Sequence, residues 1–534
     1  MRKSNELPRS GAQGSNRTVL IPVILSLAVF TVSGGVAVAG TKPSAPPAKS
    51  APAAPRPAAP AAPVRPGAPG TAATRPGAPS VPGTRPQPGL PGGPARPTVG
   101  TAPVRPVAPT PHPPMVSKTG QPVVHANDKV TPGPHGGKTI ESTDGTRVQT
   151  NAGGKVTSIK TASGTEAHLN PATGKISSIR HIGPDGTGTI VHKSPSGVPT
   201  TEHIKKDPFA PGHTVRTVTH GSTNYRERDL LRRPGYSQRT YYDHGRTYVR
   251  VYNQHVYGVY GAYPVYVPAY YYGPGYYGYF GSPWGVQVAF GWGAYPGYAY
   301  YGGYFAPAPY YVSPGAWMAD YIIAENLKAS YADQQTAPPA DAEAQTAPPE
   351  PIPAEVRTAY VQQVQAAVQQ VAAEAAGHAA PDQVPGALRL DFVMFQSYTD
   401  VEADNNGEAC ALTGGDFVKR EESTPDAAQT VAVTVVTVAK PSASHCAKNA
   451  RVRLTVATLQ DWYNSFQASQ QAGFDALAAN AGKNGFPAAP DTAKVANPNG
   501  QGTPDDPNAL AGSVQEAQNN GAQMQAEVQP GGGQ

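Results

Sequence analysis

Proline placement decides what much of this chain can become. Of its 60 prolines, 24 fall between Pro43 and Pro114. Proline fixes φ and removes a backbone donor, so a tract this dense forms neither helix nor sheet. Arg-Pro pairs recur through it at Arg56, Arg65, Arg75, Arg85, Arg96 and Arg105. The expectation for 40–119 is a solvated, disordered spacer rich in polyproline II. Extended at about 3.1 Å per residue, the tract from Pro43 to Pro114 would reach about 220 Å. Folding is left to the stretches that follow.

The N-terminus reads as an export signal over 1–39. Arg2, Lys3, Arg9 and Arg17 precede an uncharged run from Thr18 to Gly40 that closes with Ala37-Val38-Ala39, a small-x-small cleavage pattern. The run is also about long enough to span a bilayer, so an uncleaved anchor stays open beside cleavage. The expected address is secreted, periplasmic or cell-envelope, with membrane contact only if the segment is retained. Two cysteines, Cys410 and Cys446, agree with export as one disulfide. The alternative is a pair of buried free thiols. No CxxC is present, so no zinc site is expected.

Charge is uneven along the chain. From 40 to 127 there are nine Lys or Arg and no acids; from 332 to 408 there are two basic and 12 acidic residues. The basic front half suits anionic envelope polymers or self-association. Nucleic acid is not expected as a partner, because no recognisable binding module is present.

Residues 120–206 alternate short polar strands with glycine turns. Gly154-Lys-Val-Thr-Ser-Ile-Lys160 returns 20 residues later as Gly174-Lys-Ile-Ser-Ser-Ile-Arg180. Strand, glycine turn and strand at this interval predict a meander of hairpins. Its rhythm resembles the YD/RHS class of extracellular β-repeats, without that class's tyrosine-aspartate signature.

Twenty-five of the 28 tyrosines lie between Tyr225 and Tyr331. Within the block at 207–312, a hairpin is expected around Asp243-His244-Gly245, then loops and short aromatic turns. Flat amphipathic rings on a bendable backbone suit contact with surfaces, glycans or copies of the chain. Tyr271, Tyr276, Tyr277, Trp284, Trp292 and Tyr301 are the candidate contact residues. Ser313-Pro314 predicts a capped helix over 313–332 that wants burial, followed by an acidic Pro/Ala linker at 333–353. A second helix is expected at 354–376, where Val361, Val364, Val368, Val371 and Ala375 make a coiled-coil-like seam. It would pair weakly with another copy or stand alone.

Residues 386–481 hold strand-like runs and then a helix carrying Leu459, Trp462, Tyr463 and Phe466. The turn Leu412-Thr-Gly-Gly-Asp416-Phe-Val is similar to a turn of SH3-like barrels, and also to one in PDZ domains. The Asn/Gly/Pro/Gln-rich remainder, 482–534, is expected to be disordered. The fold class is thus mostly disordered or low-complexity, with a β-rich repeat segment, two isolated helices and a small C-terminal β-barrel-like (α+β) domain.

No HExxH, GxSxG or dinucleotide fingerprint occurs, and Gly133–Thr139 lacks both the spacing and the preceding strand of a phosphate loop. No cofactor, metal or catalytic residue is assigned. Ten of 13 histidines lie between His125 and His255, dispersed about one per hairpin, which leaves weak metal or pH-dependent binding as a side expectation. The order of parts resembles a group of uncharacterised secreted Tyr/Gly-rich bacterial proteins, through Tyr300-Tyr-Gly-Gly-Tyr-Phe-Ala-Pro, Trp317-Met-Ala-Asp-Tyr-Ile-Ile-Ala-Glu-Asn-Leu, Glu408-Ala-Cys-Ala-Leu-Thr-Gly-Gly-Asp and Phe486-Pro-Ala-Ala-Pro-Asp-Thr. That resemblance implies export and architecture and carries no activity. The leading expectation is a non-enzymatic exported envelope or matrix protein making multivalent aromatic and basic contacts. The alternative is a glycan-binding surface protein with a Trp/Tyr stacking platform, and the third an enzyme with its site in 386–481.

Overall fold

The 20-residue repeat has a direct structural meaning. In the computed structural model, strands β1 (Lys129–Pro132) through β13 (Ala262–Val267) pair in sequence order as one open antiparallel sheet. Ile159 and Ile179 stand two strands apart in one cross-strand column, which runs Ile140, Val148, Ile159, Ala167, Ile179, Val191. All six are buried. Side chains alternate faces along a strand, so one aliphatic position per strand at fixed register builds a continuous apolar stripe. Gly154 and Gly174 turn the chain between strands at φ +75° and +69°, a region open to glycine without a Cβ clash. The structure describes residues 121–528 except 134–135, 171–173, 175, 194–198, 222, 244–245, 290–300, 336–344, 379–382 and 406–407. The expected export signal and the whole of the Pro/Arg spacer lie outside them.

The meander runs further than the repeat, into the tyrosine block. Strands β11 (Tyr236–Asp243) and β12 (Arg246–Val256) form the hairpin expected there, with Asp243 opposite Arg246. Cross-strand tyrosines here interleave with arginine. Arg239 lies 5.1 Å from the Tyr225 ring centroid and 4.4 Å from that of Tyr252. Arg250 covers Tyr241 and Tyr248, whose rings stack at 4.9 Å. Glu227 neutralises this layer through Arg216 at 2.7 Å and Arg239 at 3.2 Å.

Beyond the meander come the short strand β14 (Tyr270–Tyr272) and helices α1 (Pro274–Tyr279), α2 (Pro314–Gln335) and α3 (Ala354–Ala375). Ser313 caps α2, its hydroxyl accepting from the Ala316 amide at 3.3 Å. The two helices expected to be isolated are not. Trp317, Met318, Ile322, Ile323 and Leu327 of α2 and Val364 and Val368 of α3 are buried in one core with the C-terminal half of the chain. The valine seam faces that core, where Tyr360 meets Phe417 and Phe466 edge-on.

The C-terminal part is not a barrel. It is an open six-stranded sheet of β15 (Met394–Gln396), β16 (Val401–Asn405), β17 (Glu408–Leu412), β18 (Phe417–Arg420), β19 (Thr430–Thr437) and β20 (Arg451–Thr455), in the order β15-β18-β19-β20-β16-β17. Helix α4 (Val456–Asn480) follows, its start capped by Thr455. Gly473 sets how closely α4 approaches α2: a Cβ there would stand 2.1 Å from the Met318 sulfur.

The tail expected to be disordered is ordered to Val528. Strand β21 (Lys494–Ala496) pairs with β14, and helix α5 (Pro507–Val528) packs on the meander. Its buried residues Leu510, Val514, Ala517, Gly521, Met524 and Val528 step by four, three, four, three and four, an amphipathic stripe diluted by Asn and Gln. Met524 and Val528 join the aliphatic column. Ahead of the helix, Asp505 lies against Arg226 (3.9 Å) and Arg228 (3.5 Å), all three mostly buried.

Asp505→Ala should therefore cost about 3 kcal/mol, because it strands two sheltered guanidinium groups; denaturant melts of the full chain read this directly. Cys410 and Cys446 are bonded at 2.13 Å across 36 residues. Replacing both by Ser should remove about 3 to 4 kcal/mol of stability by the loop-entropy relation, and reduction of the native chain should match it.

Candidate functional site

Burial sorts the candidate contact residues. Tyr276, Tyr277, Trp284 and Tyr301 are core side chains, between 0 and 4% exposed, so they offer no ring face to a ligand. The reason is chemical: each phenol finds a partner inside. Tyr276 donates to the Phe474 carbonyl at 2.6 Å, Tyr277 accepts from the Tyr272 amide at 3.0 Å, and Tyr301 accepts from Gln334 at 3.0 Å. Trp284 meets Phe486 edge-on at 5.7 Å. Trp292 lies outside the described residues. Of the five described, Tyr271 alone reaches an open site.

That site is a cleft of about 330 Å³ where the edge of the meander meets α3 and α4. Tyr257 and Tyr266 come from the last hairpin, Tyr271 from β14, Gln370 and Glu374 from α3, and Tyr463 and Gln467 from α4. Asn253, His255, Val265, Val267, Pro268 and Gly386 complete it. Helical spacing sets the polar side: Gln370 and Glu374, like Tyr463 and Gln467, are four residues apart and share a face. Gln370 donates to Glu374 at 3.0 Å and accepts from the Tyr463 hydroxyl at 3.3 Å. Gly386 admits the Tyr463 ring, since a Cβ there would lie 2.2 Å from it.

The wall on the sheet side is held by an edge clamp. Strand β13 has an unpaired outer edge, and Asn464 of α4 satisfies it. Asn464 accepts from the Tyr266 amide at 3.1 Å and donates to the Pro264 carbonyl at 2.8 Å. Desolvation raises Tyr266 to about 12. Burial, and then the charge of Glu374, push Tyr271 up as well. Both phenols are neutral donors and acceptors at physiological pH. The Gln467 side-chain oxygen is buried without a hydrogen-bond partner. Among the described residues no Lys or Arg lines the cleft.

A second polar cluster sits in the C-terminal sheet. Asp416 accepts from the amides of Thr413 and Ala439, both at 2.6 Å, and from His445 Nε2 at 2.8 Å. A cavity of about 10 Å³ nearby is lined by His220, Asp333, Asp400 and Lys440 among others, which is room for a single water. Burial lowers Lys440 to about 8 against the pull of Asp400, Asp416 and Asp333. Among the described residues no group of three or more His, Cys, Asp or Glu is placed to hold a metal ion, and no helix is long and apolar enough to cross a membrane.

Sequence reasoning missed Glu374, Gln370, Tyr463 and Gln467. The i,i+4 pairs were visible, but nothing in the sequence pointed these two helices at Tyr271. Comparison with protein-family models, with the curated proteins and with the solved structures gave no match.

His445 yields a pH prediction. Burial opposes its charge, but the adjacent Asp416 carboxylate outweighs this and raises the imidazole above its ordinary value of 6.5. A raised histidine stabilises fully below the unfolded value and loses that contribution as pH rises through the folded one. Thermal midpoints should fall from pH 6 upward through neutrality, and His445→Gln should flatten that slope.

Proposed function

We propose that the protein is an exported envelope or matrix protein that binds a glycan in the tyrosine-lined cleft. The observation that carries this reading is the composition of the cleft: the half-buried Tyr266 and Tyr271 beside Asn, Gln, His and Glu side chains, in a volume suited to one or two sugar rings. Sugars present apolar C–H faces and hydroxyl edges. Aromatic rings with polar tips, next to amide and carboxylate acceptors, match both. Export rests on the N-terminal charged and apolar segments, the Ala37-Val38-Ala39 pattern and the disulfide. The Pro/Arg tract would then act as a spacer between the envelope and the binding half.

A binding role fits this cleft better than hydrolysis. Glycoside hydrolysis commonly uses two facing carboxylates. Glu374 is the one carboxylate among the described lining residues. The large buried share of the tyrosine block also moves the weight from a multivalent aromatic surface to a single cleft.

Titration of the mature chain against neutral and charged oligosaccharides tests this. At least one should bind, with affinity that changes little between low and high salt, since stacking is not screened. Tyr271→Ala should weaken binding about tenfold, a loss of about 1.4 kcal/mol. Tyr248→Ala, at an exposed ring outside the cleft, should leave it unchanged. Absence of binding to all glycans, or equal affinity of the Tyr271 variant, would overturn the reading.

A further inference from the structure

The cleft has a polarity that its aromatic character hides. Its charged side chain is Glu374, with no Lys or Arg among the described lining residues. Gln370 holds the Glu374 carboxylate from one side at 3.0 Å and is itself fixed by Tyr463. Tyr271 is close enough for the Glu374 charge to raise its phenol. The half-buried Tyr266 and Tyr271 rings add negative quadrupole faces, which attract cations. The carboxylate and these faces together favour a ligand that carries positive charge.

Resting on the glycan reading above, we infer that the cleft selects saccharides bearing a free amino group, a hexosamine unit, over their N-acetylated or acidic counterparts. The ammonium sits against Glu374 beside the Tyr271 ring. An N-acetyl group removes the charge and brings a carbonyl acceptor. A uronate brings a second negative charge beside Glu374, which repels it. The charge of Arg250 is felt at Tyr266 but is shared with Tyr241, Tyr252 and Tyr248. Lys494 is engaged with Tyr270 at 2.8 Å and Asp475 at 3.2 Å, and Arg250 lies over Tyr241 and Tyr248.

The experiment compares three probes by calorimetry on the full mature chain: a glucosamine tetramer, the fully N-acetylated tetramer and a galacturonate tetramer. The expected order is glucosamine tightest by about tenfold, then the N-acetylated form, with galacturonate weakest. Glu374→Gln keeps the hydrogen bond to Gln370 and removes the charge. It should erase the difference between the amino and N-acetyl tetramers, chiefly by weakening the amino tetramer. Equal binding of the three probes by the native chain, or tighter binding of galacturonate, overturns the preference and leaves the glycan reading standing. A preference that persists in Glu374→Gln overturns the role given to that carboxylate. Binding of none of the three, where other glycans bind, sinks the preference alone; binding of no glycan at all sinks both.

Discussion

A meander with one apolar column per face-repeat cannot bury that column by itself. Thirteen strands in sequence order make a single layer, and the rest of the chain must supply the cover. Helix α5 does so on the aliphatic side, bringing Met524 and Val528 to the column that begins at Ile140. On the other side, the tyrosine-arginine layer of the last strands lies toward α4, and Asn464 closes the free edge of β13. The long return of the C-terminus to the meander is therefore a consequence of how the repeat is built. Its ion pairs, Asp505 with Arg226 and Arg228, and Glu516 with Lys205, hold a helix that is too polar to dock by area alone.

The meander strands were legible because their signal is local: period two, glycine turns and a repeat of constant length. Helix α2 was legible for the same reason, through Ser313, Pro314 and the apolar residues after them. The tail was not. Its six stripe residues in α5 are separated by Asn, Gln, Gly and Ala, so mean polarity masked a periodicity that was present. The barrel expectation failed on topology. The Thr413-Gly-Gly-Asp416 turn does form a tight buried loop, but the sheet around it stays open. Turn chemistry fixes a local bend and leaves strand order undetermined.

The tyrosine block was misjudged for a different reason. Gly and Pro at such density suggest surface loops, yet most of the described rings from Tyr272 to Tyr311 are buried. What makes a tyrosine core workable is that each hydroxyl has an acceptor in reach. Tyr304 donates to the Gly415 carbonyl at 2.7 Å, Tyr311 to Asp320 at 2.7 Å, and Tyr270 and Tyr272 both to Asp475. A phenylalanine core would bury similar area without these directional ties. Here the ties join the block to α2, α4 and the C-terminal sheet, which is why the parts read as separate in sequence share one core.

The cleft is where that pattern of internal pairing stops. Along the core, Tyr270, Tyr272, Tyr276, Tyr304 and Tyr311 each donate to a carbonyl or carboxylate of another segment. At the junction of β13, α3 and α4, Tyr271 and Tyr266 are only half-buried and border open space. The same residue chemistry that stabilises the interior, rings with polar tips beside acceptors, here lines a cleft. Filling it takes a molecule that supplies polar groups and a flat apolar face together. The sequence could show the abundance of tyrosine; only the packing shows which rings border open space.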